Sequence, residues 1–462
     1  MKARLPLSIL IANLLVAGCT VGPDYVRPPI NLPTNHRTTH PTQAENNIAP
    51  QHWNTVFTDP ALQALIMEAL GAGPDALLGA ARVREAEALA GVSRSPLLPQ
   101  ASLSLNTSPT VRQPGERFTA SYLGGLGISW EIDLWGRYRR AHEASRADLL
   151  ANEAALHGLQ ASLVAGVARY YYKIATLHEV LKITTRSASN QEDVLQLVHR
   201  LSKSGIASAA EERQQESALA ATQSNIPGLK LQIAESEHAL SLLLGRTPGS
   251  FAIESVAQLV LPGQIPAGLP SSLLEQRPDI RQAEANLISA NARVGEAKAL
   301  FFPSLSLTAL FGGVSTSLSD VTYGSASKVS SLGPNLLQPL FAGGQIYFNK
   351  AAAEARLEHA VINYRKTILN ALGEVSTGLT AYQTSEELLQ TQRRRFTAAS
   401  EALRLAELRF RSGTTNFLEV LDTQRQLFSA ETQAAEALLQ RRLALINVYL
   451  ALGGGWQEES IK

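Results

Sequence analysis

The sequence predicts a mostly α-helical chain that carries a membrane β-barrel, laid out as a duplicated unit of helix, strand, strand, long helix and helix. Three observations predict it. Laid on itself with a shift near 204, the chain brings Pro74-Asp75 onto Pro278-Asp279 and residues 95–105 onto 299–309. Further along the shift becomes 208 and Ser204-Gly205 falls on Ser412-Gly413. A period this long marks duplication of a whole unit, not a short-repeat solenoid. Second, the hydrophobic period in each unit switches from helical to two and back again. Third, the N-terminus reads as an export signal.

That signal has the three regions an exported bacterial lipoprotein needs. Lys2 and Arg4 are basic, Leu5 to Leu15 form an apolar stretch, and Val16-Ala17-Gly18-Cys19 is a small-residue cleavage site ending in cysteine. A thioether lipid requires a thiol, so Cys19 is the expected attachment point. It is also the sole cysteine of the 462 residues, which rules out intramolecular disulfides and cysteine-built zinc or iron-sulfur sites. The expected division is a signal peptide over 1–18, a lipidated extended tether over 19–55, repeat 1 over 56–264, repeat 2 over 265–455 and a tail over 456–462. Past residue 18 no run approaches the roughly 18 apolar residues of a spanning helix, so strands must cross any membrane. With 45% hydrophobic and 18% charged residues and a net charge of +1, the chain has no basic field for nucleic acid.

Each repeat opens on an Ala-rich helical pattern. Strand patterns follow at about 100–133 and 303–341: Leu126, Ile128, Trp130 and Ile132 alternate with Gly127, Ser129, Glu131 and Asp133, and Leu305, Leu307, Ala309 and Phe311 repeat the pattern. Residues 331–341 are weaker because Pro334 would interrupt a central ladder. The polar stretches 111–120 and 312–330 should join the paired strands and face the exterior. From Leu134 to Ser202, and from Gln345 to Arg411, a helical pattern runs without proline. Each such helix would be roughly 100 Å long. The coiled-coil spacing of Phe396, Ala399, Leu403, Ala406 and Phe410 continues into a returning partner. Gly205 and Gly413 mark the reversals, with hairpin tips near 203–207 and 411–416.

Four strands cannot close a barrel alone, and an open edge in lipid leaves backbone groups unpaired. Copies must share one barrel, and three would supply twelve strands. An exported lipoprotein with a shared barrel and a helical tube is most simply a conduit.

In the order and spacing of its motifs the whole chain resembles the TolC-like outer membrane factor family, in its NodT-like lipoprotein branch. The motifs are VAGC followed by VGPDYVRP at 21–28, RPDI at 277–280, LFAGG at 340–344, RFRSGTTNFLEVLDTQR at 409–425 and ALGGGW at 451–456. The resemblance implies a homotrimer, a 12-stranded barrel in outer-membrane lipid and a long periplasmic α-helical barrel. It also implies docking onto a periplasmic adaptor and an inner-membrane pump through the tips, here Ser204, Gly205, Arg411, Ser412 and Gly413. The implied role is the outer-membrane exit duct of small-molecule efflux. A protein-secretion duct is the alternative in the same shape class, and a lipidated periplasmic coiled-coil adaptor is the rival from another. Some relatives carry an arginine just after the tip glycine that helps to latch the entrance; here that position is Thr415.

The acids after the second tip have their own reading. Leu418 and Asp422 stand four apart on one helix side, off the stripe of Phe417, Leu421 and Phe428. In a trimer they would form a leucine ring and an aspartate ring at the entrance, with Glu419 near both and cations attracted. Catalysis has no supporting constellation: the GGLG at 124–127 opens no helix, and the His36/His40 pair lies in the tether. No cofactor or metal is expected beyond the lipid at Cys19.

Overall fold

The computed structural model describes residues 20–30, 53–110, 119–253 and 277–454. The signal peptide, Cys19, most of the tether, residues 111–118 of the expected first connection and the tail 456–462 lie outside the described residues. In chain order the elements are α1 (Trp53–Val56), α2 (Pro60–Ala72), α3 (Pro74–Arg94), β1 (Gln100–Thr110), β2 (Thr119–Ile132), α4 (Arg137–Lys203), α5 (Ala209–Gln223) and α6 (Asn225–Leu244). The second repeat supplies α7 (Pro278–Ala299), β3 (Ser304–Ser315), α8 (Leu318–Tyr323), β4 (Ser327–Leu337), α9 (Gln345–Arg411) and α10 (Phe417–Ala451). The long helices α4 and α9 have 67 residues each. Within the described residues, contacts group the chain into two compact units that each take pieces of both repeats. One comprises Met1–Ile30, Arg82–Glu153 and Gln282–Lys366; the other comprises Asn31–Ala81, Ala154–Arg281 and Thr367–Lys462.

The first unit holds the sheet, which is antiparallel in the order β1-β2-β3-β4. Its register aligns the apolar positions across strands: Leu103 opposes Leu126, which opposes Phe311, and Ala101, Ile128, Ala309 and Leu332 form the next row. One face is therefore largely apolar, broken by Ser330 opposite Phe311, and within this chain much of it is uncovered: Leu103 is 85% exposed and Leu332 79%. A face of that kind calls for lipid or protein to cover it. Two expectations change here. β4 runs through Pro334, which pairs with Leu307; it does so as an edge strand of the chain's own sheet, where the missing N–H is tolerated. The proposed 312–330 connection is shorter, because β3 continues to Ser315, β4 starts at Ser327 and a short helix, α8, fills the gap.

The predicted tether is also more structured than its composition suggests. Residues 53–56 are helical, and residues 20–30, though extended, are strapped onto the first unit. Arg27 donates to both oxygens of Glu284 at 2.6 and 2.7 Å, and the Tyr25 hydroxyl joins them at 2.9 Å. Arg140 donates to Asp24 at 2.8 Å, Asn291 to the Pro23 carbonyl at 2.9 Å, and the Val21 amide to the Trp135 carbonyl at 3.0 Å. Gly22, at φ 118°, crosses α7 so closely that a Cβ would lie 2.4 Å from Gly295 Cα. Helix periodicity cannot reveal a segment held by side chains more than 100 residues away.

The second unit holds the helical core, with Tyr172, Leu240, Leu244 and Tyr449 all fully buried or nearly so. The Tyr171 hydroxyl donates to buried Asp59 at 2.8 Å. The two repeats are not copies in detail. The returning limb of repeat 2 is one helix, whereas that of repeat 1 is cut at Ser224 into α5 and α6. Pro227 falls in the first turn of α6, where its absent N–H costs no helical hydrogen bond. Within Pro60–Leu97 an 18-residue window reaches a mean hydropathy of 1.3, but the stretch is not one helix. Gly73 adopts an extended conformation between α2 and α3 and divides it.

Candidate functional site: the hairpin tips and the entrance residues

Both tips are built by the same backbone device. At the first, Gly205 takes φ 73°, and the amides of Gly205 and Ile206 donate to the carbonyls of Ser202 and Leu201 at 3.0 and 2.9 Å. At the second, Gly413 takes φ 71°, and the amides of Gly413 and Thr414 donate to Phe410 and Arg409 at 3.0 and 2.9 Å. This is the Schellman closure, and the left-handed residue it requires is glycine for want of a Cβ clash. Serines brace both turns: Ser204 Oγ donates to the Arg200 carbonyl at 3.1 Å, and Ser412 Oγ to the Arg409 carbonyl at 2.9 Å. Ser204, Gly205, Arg411, Ser412 and Gly413 are all exposed.

The returning helices start on capped residues. Ser208 and Glu211 form a capping box at α5, with the Ser208 amide donating to Glu211 at 2.7 Å. Asn416 caps α10 by accepting from the Glu419 amide at 3.3 Å. Just past these caps the hairpins meet in one apolar cluster. Val198 of α4, Ala218 of α5, Ala406 of α9 and Phe417, Val420 and Leu421 of α10 are buried together.

That packing sorts the predicted entrance residues. Phe417 and Leu421 face inward, and Leu418, 49% exposed, and Asp422 share the outer face. Asp422 accepts from Gln426 at 2.6 Å, one turn further along. Glu419 is drawn away from that pair. Arg409, on the outgoing helix, donates to its Oε1 at 2.6 Å, and the Thr415 hydroxyl donates to its Oε2. Within one chain the structure thus brings Leu418 and Asp422 together and engages Glu419 across the turn. The sequence reading assigned no role to Arg409. Its only signal was position: a cation ten residues ahead of an acid, with a glycine turn between them. The first tip has a different link, His199 to Glu212 at 2.8 Å, and that hydrogen bond holds the Glu212 carboxyl below its ordinary range. Cys19 lies outside the described residues, and among those described no group of three or more His, Cys, Asp or Glu side chains is placed to hold a metal ion.

Residues 65–246 and 269–454, one match per repeat, fit the family model of the outer membrane efflux protein. The chain belongs to the outer membrane efflux protein family. Relatives of this outer membrane efflux protein match end to end. It is 34% identical to the probable efflux pump outer membrane protein TtgC of Pseudomonas putida, over 98% of this chain and 96% of that one. It is 30% identical to the probable outer membrane lipoprotein SilC of Salmonella typhimurium, over 98% of this chain and all of that one. Its fold matches the open state of the MtrE outer membrane channel of Neisseria gonorrhoeae with a TM-score of 0.85 at 28% identity, covering 96% of this chain and all of that one. The outer membrane efflux protein is accordingly an exit duct of the outer membrane, mostly helical and with a small sheet.

Proposed function

We propose that this chain is one subunit of a homotrimeric, passive duct that carries small molecules from a periplasmic adaptor and an inner-membrane pump across the outer membrane, without catalysis. The observation that carries this reading is the sheet. Much of its apolar face is uncovered, and β1 and β4 present edges with no partner among the described residues. In a bilayer such edges must be paired, and three copies closing edge to edge make twelve strands. The 67-residue helices then suit a periplasmic tube, and the exposed tips suit docking to the adaptor. The proposed lipid at Cys19 adds an anchor to a chain that already spans the membrane. One acyl chain by itself holds only weakly.

The entrance is assigned to Leu418 and Asp422, with Glu419 as a brace. On a threefold axis Leu418 narrows the passage by bulk and Asp422 attracts cations. Thr415 leaves the arginine latch of relatives unmade, and the Arg409–Glu419 link braces the hairpin internally instead. The double variant Leu418→Ala, Asp422→Ala should raise single-channel conductance in planar bilayers about twofold or more, and Asp422→Ala alone should lower cation preference, since three carboxylates leave the passage. If intact trimers of the double variant conduct and select like the wild type, these two residues are not the entrance.

A further inference from the structure

The duplication exposes a position that the two repeats solve with opposite chemistry. At the root of each hairpin, where the returning helix ends beside the start of the repeat's first long helical run, three positions meet. In repeat 1 they are Gly73, Gly166 and Leu243; in repeat 2, at the same shifts, they are Arg277, Glu374 and Ala451. The surrounding backbone is the same in both. Leu77 N donates to the Gly73 carbonyl at 3.1 Å, and Arg281 N to the Arg277 carbonyl, also at 3.1 Å. Helices α6 and α10 both end in a glycine with positive φ, Gly245 and Gly453, whose amides donate to Leu242 and Leu450.

The filling differs. In repeat 1 the leucine does it: a Cβ on Gly166 would sit 3.3 Å from Leu243 Cδ1, and one on Gly73 would sit 2.7 Å from the Leu243 carbonyl oxygen. The root is closed by backbone approach and apolar contact. In repeat 2 the leucine becomes Ala451 and the two glycines become an ion pair. Arg277, only 6% exposed, donates to the Ala451 carbonyl at 2.6 Å, to Glu374 at 2.7 Å and to Asp279 at 3.0 and 2.7 Å. Burial opposes this charge, but the hydrogen bonds and charges of Asp279 and Glu374 outweigh it and raise the guanidinium pKa. One side chain thereby joins the start of α7, the middle of α9 and the last carbonyl of α10.

We propose that Arg277 is the positioning residue of the second hairpin: it holds the roots of α9 and α10 together, so that the hairpin bearing Leu418 and Asp422 can be released without loosening the first. At the first root the three matching positions carry no charged side chain; the ion pair there, Arg246 with Glu68, is surface-exposed and, among the described residues, links α2 to the end of α6 without reaching α4. A guanidinium suits the task because its planar fork serves three acceptors at once. The inference rests on the second hairpin being the entrance, so its test separates the two.

The test is amide hydrogen exchange of the purified assembly, following residues 440–452 and 236–245, together with single-channel recording. Arg277→Ala should speed exchange at 440–452 about tenfold or more and leave 236–245 within about twofold, because only one root loses its buried partner. Arg277→Lys, which keeps the charge and loses the fork, should fall between. The triple variant Arg277→Gly, Glu374→Gly, Ala451→Leu installs the apolar solution of repeat 1 and should restore protection toward wild type. Should Arg277→Ala speed exchange at both roots alike, or at neither, or should the triple variant exchange as fast as Arg277→Ala, the assignment falls. Selective exchange with unchanged conductance would uphold the positioning role and overturn the entrance reading instead.

Discussion

The two hairpin tips began as copies and now divide their labour. Their turns close with the same pair of backbone hydrogen bonds, on a glycine at φ 73° in one and 71° in the other. Their carboxylates are not. Glu211 and Glu419 occupy the same position of the returning helix, three residues past the cap. Glu211 folds back to close a capping box; Glu419 reaches across the turn to Arg409, whose counterpart in repeat 1 is Leu201. The entrance pair differs likewise: Leu418 and Asp422 correspond to Ala210 and Gln214. Duplication preserved what makes the chain turn and freed the residues around the turn. The second tip combines bulk, charge and a brace, whereas the first keeps a well-capped helix start.

Three experiments break or sharpen this contrast. The largest effect should come from Phe417→Ala. Phe417 is 5% exposed, stacks obliquely on Phe410 with centroids 5.7 Å apart, and lies in the cluster that both hairpins share. Its truncation should cost about 3 to 5 kcal/mol and erase the contrast by loosening both tips, measured as a lower urea midpoint and faster exchange at each. Loss confined to the second tip would mean the cluster does not couple them. Intermediate effects are expected from Gly205→Ala and Gly413→Ala. Each forces alanine into the left-handed region at about 1 to 2 kcal/mol. No neighbouring atom lies within 4 Å of either added methyl, so the two local destabilisations should be equal. A clear inequality would show that the turns themselves have diverged.

The smallest effect concerns pH. Glu212 is held below its ordinary pKa of 4.5 by the hydrogen bond with His199. A carboxyl depressed in the folded state contributes stability above its unfolded pKa, and that contribution is lost as pH falls through the folded value. Acidification from about pH 5 to about pH 3 should therefore speed exchange at residues 199–213 without moving the global transition, because a pair at the surface of the tip contributes little to overall stability. Exchange independent of pH, after correction for the intrinsic rate, would remove the His199–Glu212 link from the account of the first tip.

Much of this architecture is legible from periodicity and self-alignment. The proline-free stretch ending at Arg411 is the observed α9 to the residue, and the alternation of Leu126 through Ile132 lies wholly within β2. The two faces of the helix after Gly413 follow from spacing alone: Phe417 and Leu421 in, Leu418 and Asp422 out. The misses share a cause. The docking of residues 20–30, the Arg409 brace and the Arg277 node all depend on side chains meeting across long sequence distances, and no local period records that. The cut at Ser224 and the short α8 were missed for another reason. Each is a brief change of backbone inside a stretch whose composition reads uniformly.

The strap over residues 20–30 has a consequence for the order of events in the cell. Arg27 and Glu284 are 257 residues apart, and Asn291 and Pro23 are 268 apart. Asp24 and Val21 can meet Arg140 and Trp135 once the start of α4 has been made, but Arg27, Tyr25 and Pro23 have no partners until the first helix of the second repeat has been synthesised and exported. Chains fold as they emerge, and contacts at such separation close late. A lipid joined to Cys19 would be joined while the strap is still loose. The strap is then seated in two stages, first on the start of α4 and last on α7, and its completed docking marks the arrival of the other half of the chain.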